Sequence, residues 1–328
     1  MNENITIVTV PSEAGTHWGG QANAPNALLS AGLSIKLHTK DISNSIVSAL
    51  QTPHLWTPHP LLNGVRNEQG VLDVMRDVRD TLSPIFTQDT IPLILGGDCS
   101  ITPAVFSALS NSSSKKVGLL CFDGDLDLSL PAINGQMDSD TGVLDSMVFS
   151  HLTNRDGGLL SIQKFLHPTP GKDPLVTADN IVVFGFDPLQ PKPEHLVYLL
   201  ERQYKAISAP SVRNNPAAAA IEALEWLEAR CEGILVHFDL DAVSSDLFPL
   251  GNYPHYAGLA FEEAMTCLGV FIGSRKLSGV VVTEVNPGND PGGILVERLV
   301  EGIVGAFGRR GKLNEENLDC ERNIVKMK

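Results

Sequence analysis

The stretch VGLLCFDGDLDL, residues 117–128, decides the reading of the fold. Its first half is continuously apolar, and its second half carries Asp123, Asp125 and Asp127 at alternate positions. An apolar run without polar alternation is a strand covered on both faces, the habit of parallel sheets. Comparable runs occur at residues 5–10, 91–95, 180–186, 233–238 and 279–285. Helical stretches lie between them. Asn215 followed by Pro216, a capping residue with proline at the first helical position, opens the run AAAAIEALEWLEAR. Residues 261–272 and 293–307 also read as helices. This alternation predicts one three-layer α/β/α domain over residues 1–328 with a central, mostly parallel sheet. Residues 51–67 and 167–179, rich in proline and without period, read as long loops, and 314–328 as a C-terminal tail.

The strand candidates deliver carboxylates at their C-terminal ends. Residues 91–95 run into GGDCS, with Asp98 and Cys99; 117–122 into Asp123, Asp125 and Asp127; 233–238 into Asp239, Asp241 and Asp246. The run 279–285 carries Glu284. Ligands of open α/β sheets bind outside the carboxyl ends of the strands, so these acids should share one pocket. Several ionised carboxylates a few ångströms apart need protons or cations to neutralise them, and five or more imply metal. Alternate aspartates leaving a strand would point three side chains to one side. Asp239 and Asp241 would close the cage around two divalent ions roughly 3.5 Å apart, a spacing suited to activating water. Asp98 and Asp246 read instead as caps or outer supports. A calcium loop of the EF-hand type is excluded, because its sixth and twelfth positions hold Leu128 and Asn134 rather than glycine and glutamate.

Composition narrows the partners. The chain has 328 residues, 43% apolar and 19% charged, which supports a sizeable core. Lys plus Arg number 24 against 38 Asp plus Glu, a formal charge of -14 that disfavours nucleic acid and anionic membranes. Five widely spaced cysteines without a CxxC pair suit a reducing compartment. The opening MNENITIVTV has no signal-peptide pattern, and no apolar run approaches the ~18 residues of a membrane span. The expectation is a cytoplasmic protein with no membrane partner. No GxSxG, P-loop or GxGxxG follows a strand. His151, His167, His195, His237 and His255 have no partner histidine at i+2 or i+4. His237, two residues before Asp239 and on the same side of the strand, reads most simply as a packed or capping histidine, with an outer support of the site as the alternative. Cys121 and Cys231 read as small core residues.

Taken together, these blocks resemble the ureohydrolases, the family of arginases and agmatinases. GTHWGGQANAPNALLSAGL (15–33) is similar to the family's N-terminal loop and first helix, and GGDCS (96–100) to its GGDHS. FDGDLDL (122–128) resembles FDAHxDL, HFDLDAVSSDLFP (237–249) resembles SFDxDxxDPxxxP, and TEVNPGNDPGG (283–293) resembles EVNPxxD. The resemblance implies an arginase-like fold and two manganese ions, with iron, zinc or nickel as possible substitutes. These would share a bridging hydroxide that attacks a guanidinium carbon. It assigns one ion to Cys99, Asp123, Asp127 and Asp239, and the other to Asp123, Asp125, Asp239 and Asp241. Glu284 matches the glutamate that pairs with the guanidinium, and Asp145 falls where the family often has a catalytic histidine. A homo-oligomer is implied by analogy.

Departures bear on specificity. The family's two metal-binding histidines are here Cys99 and Asp125, and the third aspartate of DxDxxD is Ser244. The recognition positions Ser129, Thr141 and Asp187 differ from the arginase pattern, and an insertion falls at residues 132–140. The expectation is a hydrolase of a C–N bond in a small, cationic guanidino or amidino substrate other than arginine. The alternative is a catalytically silent arginase-like subunit that binds a ligand or regulates a partner.

Overall fold

Eight strands build the sheet: β1 (Asn4–Thr9), β2 (Ser43–Ser48), β3 (Ile91–Leu95), β4 (Val117–Phe122), β5 (Ile181–Phe184), β6 (Lys205–Ile207), β7 (Gly233–Asp239) and β8 (Leu277–Thr283). Their order is β2-β1-β3-β8-β7-β4-β5-β6, and every pairing is parallel. The computed structural model describes residues 4–132, 141–166 and 174–310. The expected tail 314–328, most of the insertion at 132–140, and residues 167–173 of the second expected loop lie outside the described residues.

The continuous apolar runs follow from two covered faces. Side chains alternate, so Leu120, Phe122, Val236, Phe238, Val280 and Val282 enter one core, while Leu119, Cys121, Leu235 and Val281 enter the other. The first core is closed by helices Ala24–Ser30, Leu33–His38, Pro216–Glu228, Phe261–Ile272 and Ile294–Arg310. The second is closed by Glu68–Ile85, Thr102–Ser112 and the shorter helices up to Pro193–Glu201. The first core centres on Phe122, whose ring lies 5.2 Å from Phe184, 5.1 Å from Phe238 and 5.9 Å from Phe271. Truncating such a side chain typically costs about 3–5 kcal/mol.

The expected helix 261–272 is found with those bounds, and Asn215 caps Pro216–Glu228 by accepting from the Ala218 N–H at 3.2 Å. The helix expected at 293–307 runs Ile294–Arg310, starting after Gly293 in a left-handed conformation (φ 69°). The strand expected at 180–186 is shorter, Ile181–Phe184. Strands β2 and β6 were not expected. They are the sheet edges, with one neighbour each; β2 (SNSIVS) is mostly exposed and polar, and β6 has only three residues. No described helix is long and apolar enough to cross a membrane.

Candidate metal centre

The adjacent strands β3, β8, β7 and β4 are the sheet's middle, and each ends in acid. After β3 come Asp98 and Cys99, after β8 Glu284, at the end of β7 Asp239 and then Asp241, and after β4 Asp123, Asp125 and Asp127. Gly97 lets the β3 turn pass, because any Cβ there would run into the Ser12 carbonyl, and its own carbonyl accepts from the Glu284 N–H at 2.9 Å. Glu284 itself holds a left-handed backbone (φ 63°), unusual for glutamate, which turns its side chain inward beyond the end of β8.

The three aspartates after β4 do not share a side through strand alternation, as the sequence suggested. The strand ends at Phe122, and the acids sit on an irregular turn in which Asp127 has φ 48°. That turn is organised by the carboxylates. Asp123 Oδ1 accepts from the Asp125 N–H at 2.7 Å, and Asp125 Oδ1 from Leu126 N–H at 2.9 Å. Asp241 Oδ1 accepts from Gly124 N–H at 2.9 Å, where a Cβ would press on the Asp241 backbone. Asp239 accepts from the Asp241 N–H at 3.0 Å and the Thr283 hydroxyl at 3.2 Å. These bonds fix orientation and leave other lone pairs directed at one another.

Cys99, Asp239 and Glu284 place their ligand atoms within 4.8 Å of one another, and the Cys99 Sγ lies 3.6 Å from Asp127 Oδ2. Glu284 accepts from the Cys99 N–H at 2.8 Å and from Gln21 Nε2 at 2.9 Å. Gln21 is held there by a loop wrapped on the buried Glu13, whose carboxylate accepts from Gly20, Ala22 and Trp56 N–H. Asp98 caps the turn at Cys99, accepting from Ser100 and Gly15 N–H at 3.0 and 3.2 Å, and Asp246 accepts from the Ser244 hydroxyl.

Burial and mutual repulsion push most of these acids upward. Asp123, Asp127, Asp145 and Asp239 stand well above the usual carboxylate range through burial first and neighbouring acids second. Burial, with Asp98 beside it, raises Glu284 to about 8. The Cys99 thiol is raised by burial and by Asp127. Asp241 is the exception: burial opposes ionisation, but His255 and the Gly124 N–H bring it below the usual value. Such a set is unstable as a group of bare anions.

A cavity of roughly 200 Å³ opens over these groups. Cys99, Asp125, Asp127, Asp145, Asp239, Asp241 and Glu284 line it, together with Ser129 and Thr141. Asp123 lies beneath the lining, 2% exposed, where only its neighbours reach it. Asp187 is placed differently. It is buried outside the lining, and its carboxylate accepts from Leu189 N–H at 3.0 Å.

The Arginase family pattern matches residues 3–305 of the chain. The chain belongs to the arginase family. It is 26% identical over 313 residues to an arginase of Staphylococcus aureus, covering 93% of this chain and 97% of that one. Its fold superposes on the arginase of Bacillus caldovelox with a TM-score of 0.80 at 19% identity, over 94% of this chain and 99% of the other. It also superposes on the formimidoylglutamase of Bacillus subtilis, TM-score 0.70 at 15% identity, over 95% and 88%.

Two histidines outside the expected ligand set touch the centre of this arginase-family protein. His237, fully buried, shares a hydrogen bond of 3.0 Å between Nδ1 and the Thr102 hydroxyl. Its Nε2 makes no hydrogen bond and faces Asp123 at 3.6 Å and Asp239 at 3.9 Å; burial holds the ring near a pKa of about 4. His255 approaches Asp241 and Asp125 from the loop before helix Phe261–Ile272. His237 had a signal, its two-residue spacing from Asp239. His255 had none, since its partners are far away in sequence.

Proposed function

We propose that this protein is a dinuclear metal-dependent hydrolase of a small guanidino or amidino compound. The observation that carries the reading is the convergence of four neighbouring strand ends, which bury carboxylates against one another around a single cavity. The donor set fits divalent metal: carboxylate oxygens suit manganese and a thiolate tolerates softer ions, with iron, zinc or nickel acceptable in the same place. Cys99, Asp123, Asp127 and Asp239 would hold one ion, and Asp123, Asp125, Asp239 and Asp241 the other. Two ions held there would neutralise the acids and would supply the Lewis acidity that makes water a nucleophile at neutral pH.

The chain's own groups supply the rest. Glu284 is anchored by two donors, Cys99 N–H and Gln21 Nε2, and faces the cavity with capacity to accept a bidentate guanidinium or amidinium. Water adds to the amidino carbon, the C–N bond to the leaving amine breaks, and the amine takes a proton. Asp145, on the cavity wall with Oδ1 fixed by the Ser146 N–H at 2.6 Å, is placed to carry that proton. Specificity rests on Ser129 and Thr141 rather than on Asp187, and these two positions depart from the arginase pattern, so arginine is a poor substrate.

The test is a screen of the manganese-loaded protein against guanidino, amidino and ureido compounds, reading urea and ammonia. At least one cation of this class should be cleaved, arginine slowly. Glu284→Gln should remove a buried ionic partner worth roughly 3–5 kcal/mol, more than a hundredfold in turnover, with metal content unchanged. Rapid arginine cleavage would overturn the specificity reading. No cleavage of any compound would favour a silent, ligand-binding subunit.

A further inference from the structure

The position that carries imidazole in FDAHxDL is Asp125 here, yet an imidazole stands beside it from another part of the chain. His255 is fully buried, and neither ring nitrogen makes a hydrogen bond. Buried polar nitrogens are nearly always partnered; here Nδ1 has no partner, and Nε2 meets only carboxylates. Nε2 lies 3.3 Å from Asp241 Oδ2 and 4.0 Å from Asp125 Oδ2. Ligand atoms about 2.1 Å from one octahedral ion stand ~3 Å apart when adjacent and ~4.2 Å apart when opposite. Both separations from His255 fall in that interval. Among the described residues, these three do not bring one ligand atom each within 4.8 Å of one another, so an ion would have to draw Asp125 and Asp241 together.

The ring is also held in place. The His255 N–H donates to the Ser245 hydroxyl at 3.1 Å, and its carbonyl accepts from the Ser245 N–H at 2.7 Å. The Tyr253 ring packs against the imidazole, with centroids 5.7 Å apart. A residue pinned through its backbone, with Nε2 set against two acids, presents that nitrogen to the centre.

We infer that His255 supplies, through Nε2, an imidazole ligand to the second ion, in place of the one missing at Asp125. This rests on the two-ion reading above. The second ion would then be held by Asp123 and Asp125 from the turn after β4, by Asp239 and Asp241 from the end of β7, and by His255 from the loop that precedes helix Phe261–Ile272. The nitrogen ligand has changed its place in the chain while the ion keeps its place in the fold.

The experiment is a titration of the metal-free, full-length protein with Mn²⁺, followed by calorimetry and by metal analysis after gel filtration. The spin coupling of a neighbouring manganese pair is read by electron paramagnetic resonance. The parent should take up two equivalents and show the coupled signal; fewer than two overturns the two-ion reading itself, and this inference with it. His255→Ala and His255→Gln should keep the first equivalent, bind the second about tenfold to a hundredfold more weakly and lose the coupled signal. Adding Asp125→His to His255→Ala should restore both. Uptake of the second ion by both variants as tightly as by the parent, or more tightly, overturns the inference, because the ring would then be packing or a competing counter-charge. Failure of Asp125→His to restore uptake also overturns it, by assigning the loss to the loop rather than to the imidazole.

Discussion

The centre has two unlike ends. Around Cys99 the neighbours are Asp127, Asp239 and Glu284, all acids, set on the same apolar layer as Ile101 and Val105. Around Asp125 the neighbours are Asp241 and the imidazole of His255, and the Asp125 side chain keeps 35% exposure. The first end is buried charge whose one nearby imidazole, His237, is held near a pKa of about 4 by burial; the second is partly wetted and has His255 set against its acids. The two ends therefore differ in their need for a cation. The Cys99 end depends on an ion for its compatibility with burial, whereas the Asp125 end can better withstand losing one.

Removing one of the two residues common to both ends should erase the difference. Asp239→Ala deletes a carboxylate assigned to both ions, and metal analysis should find most of both equivalents gone. The affinity loss should exceed the ~10–100-fold typical of an outer partner. Retention of full occupancy would mean that Asp239 does not bridge. A smaller effect, confined to one end, is expected from Cys99. Cys99→Ser should weaken one equivalent and spare the other, while Cys99→His should keep both and shift preference toward manganese, as imidazole accepts a wider range of ions than thiolate. If both variants bind like the parent, Cys99 packs rather than coordinates.

These two ends were not equally legible in the sequence. The apolar runs 91–95, 117–122 and 233–238 gave the middle of the sheet because strands covered on both faces need no alternation. The acids that follow them could be placed at one edge from that alone. The edge strands β2 and β6 could not be read, since one is polar and mostly exposed and the other is three residues long. Glu284 was read as the tail of a strand, but it lies beyond β8 in a left-handed turn that only the close packing against Gly97 explains. The Asp125 end was the less legible of the two. Its imidazole comes from residue 255, and no local spacing connects that residue to the turn after β4. The outer support of Glu284 by Gln21 was hidden for the same reason, a contact across most of the chain.

The smallest effect should come from beneath the centre, where neither end dominates. Thr102→Val removes the hydroxyl paired with His237 Nδ1 and leaves a fully buried nitrogen unsatisfied, at roughly 1–3 kcal/mol. Denaturant titration should show that loss, with metal stoichiometry unchanged. A change in stoichiometry would place His237 among the ligands and blur the distinction between the two ends.

The measurement closest to the central claim is the metal content of the unaltered protein, loaded with Mn²⁺, desalted, and then exposed to a graded series of chelator. The account predicts close to two ions per chain, released in two steps, with the Asp125 end emptying first and the Cys99 end last. A chain that holds close to none, or releases two ions in a single step, would contradict it.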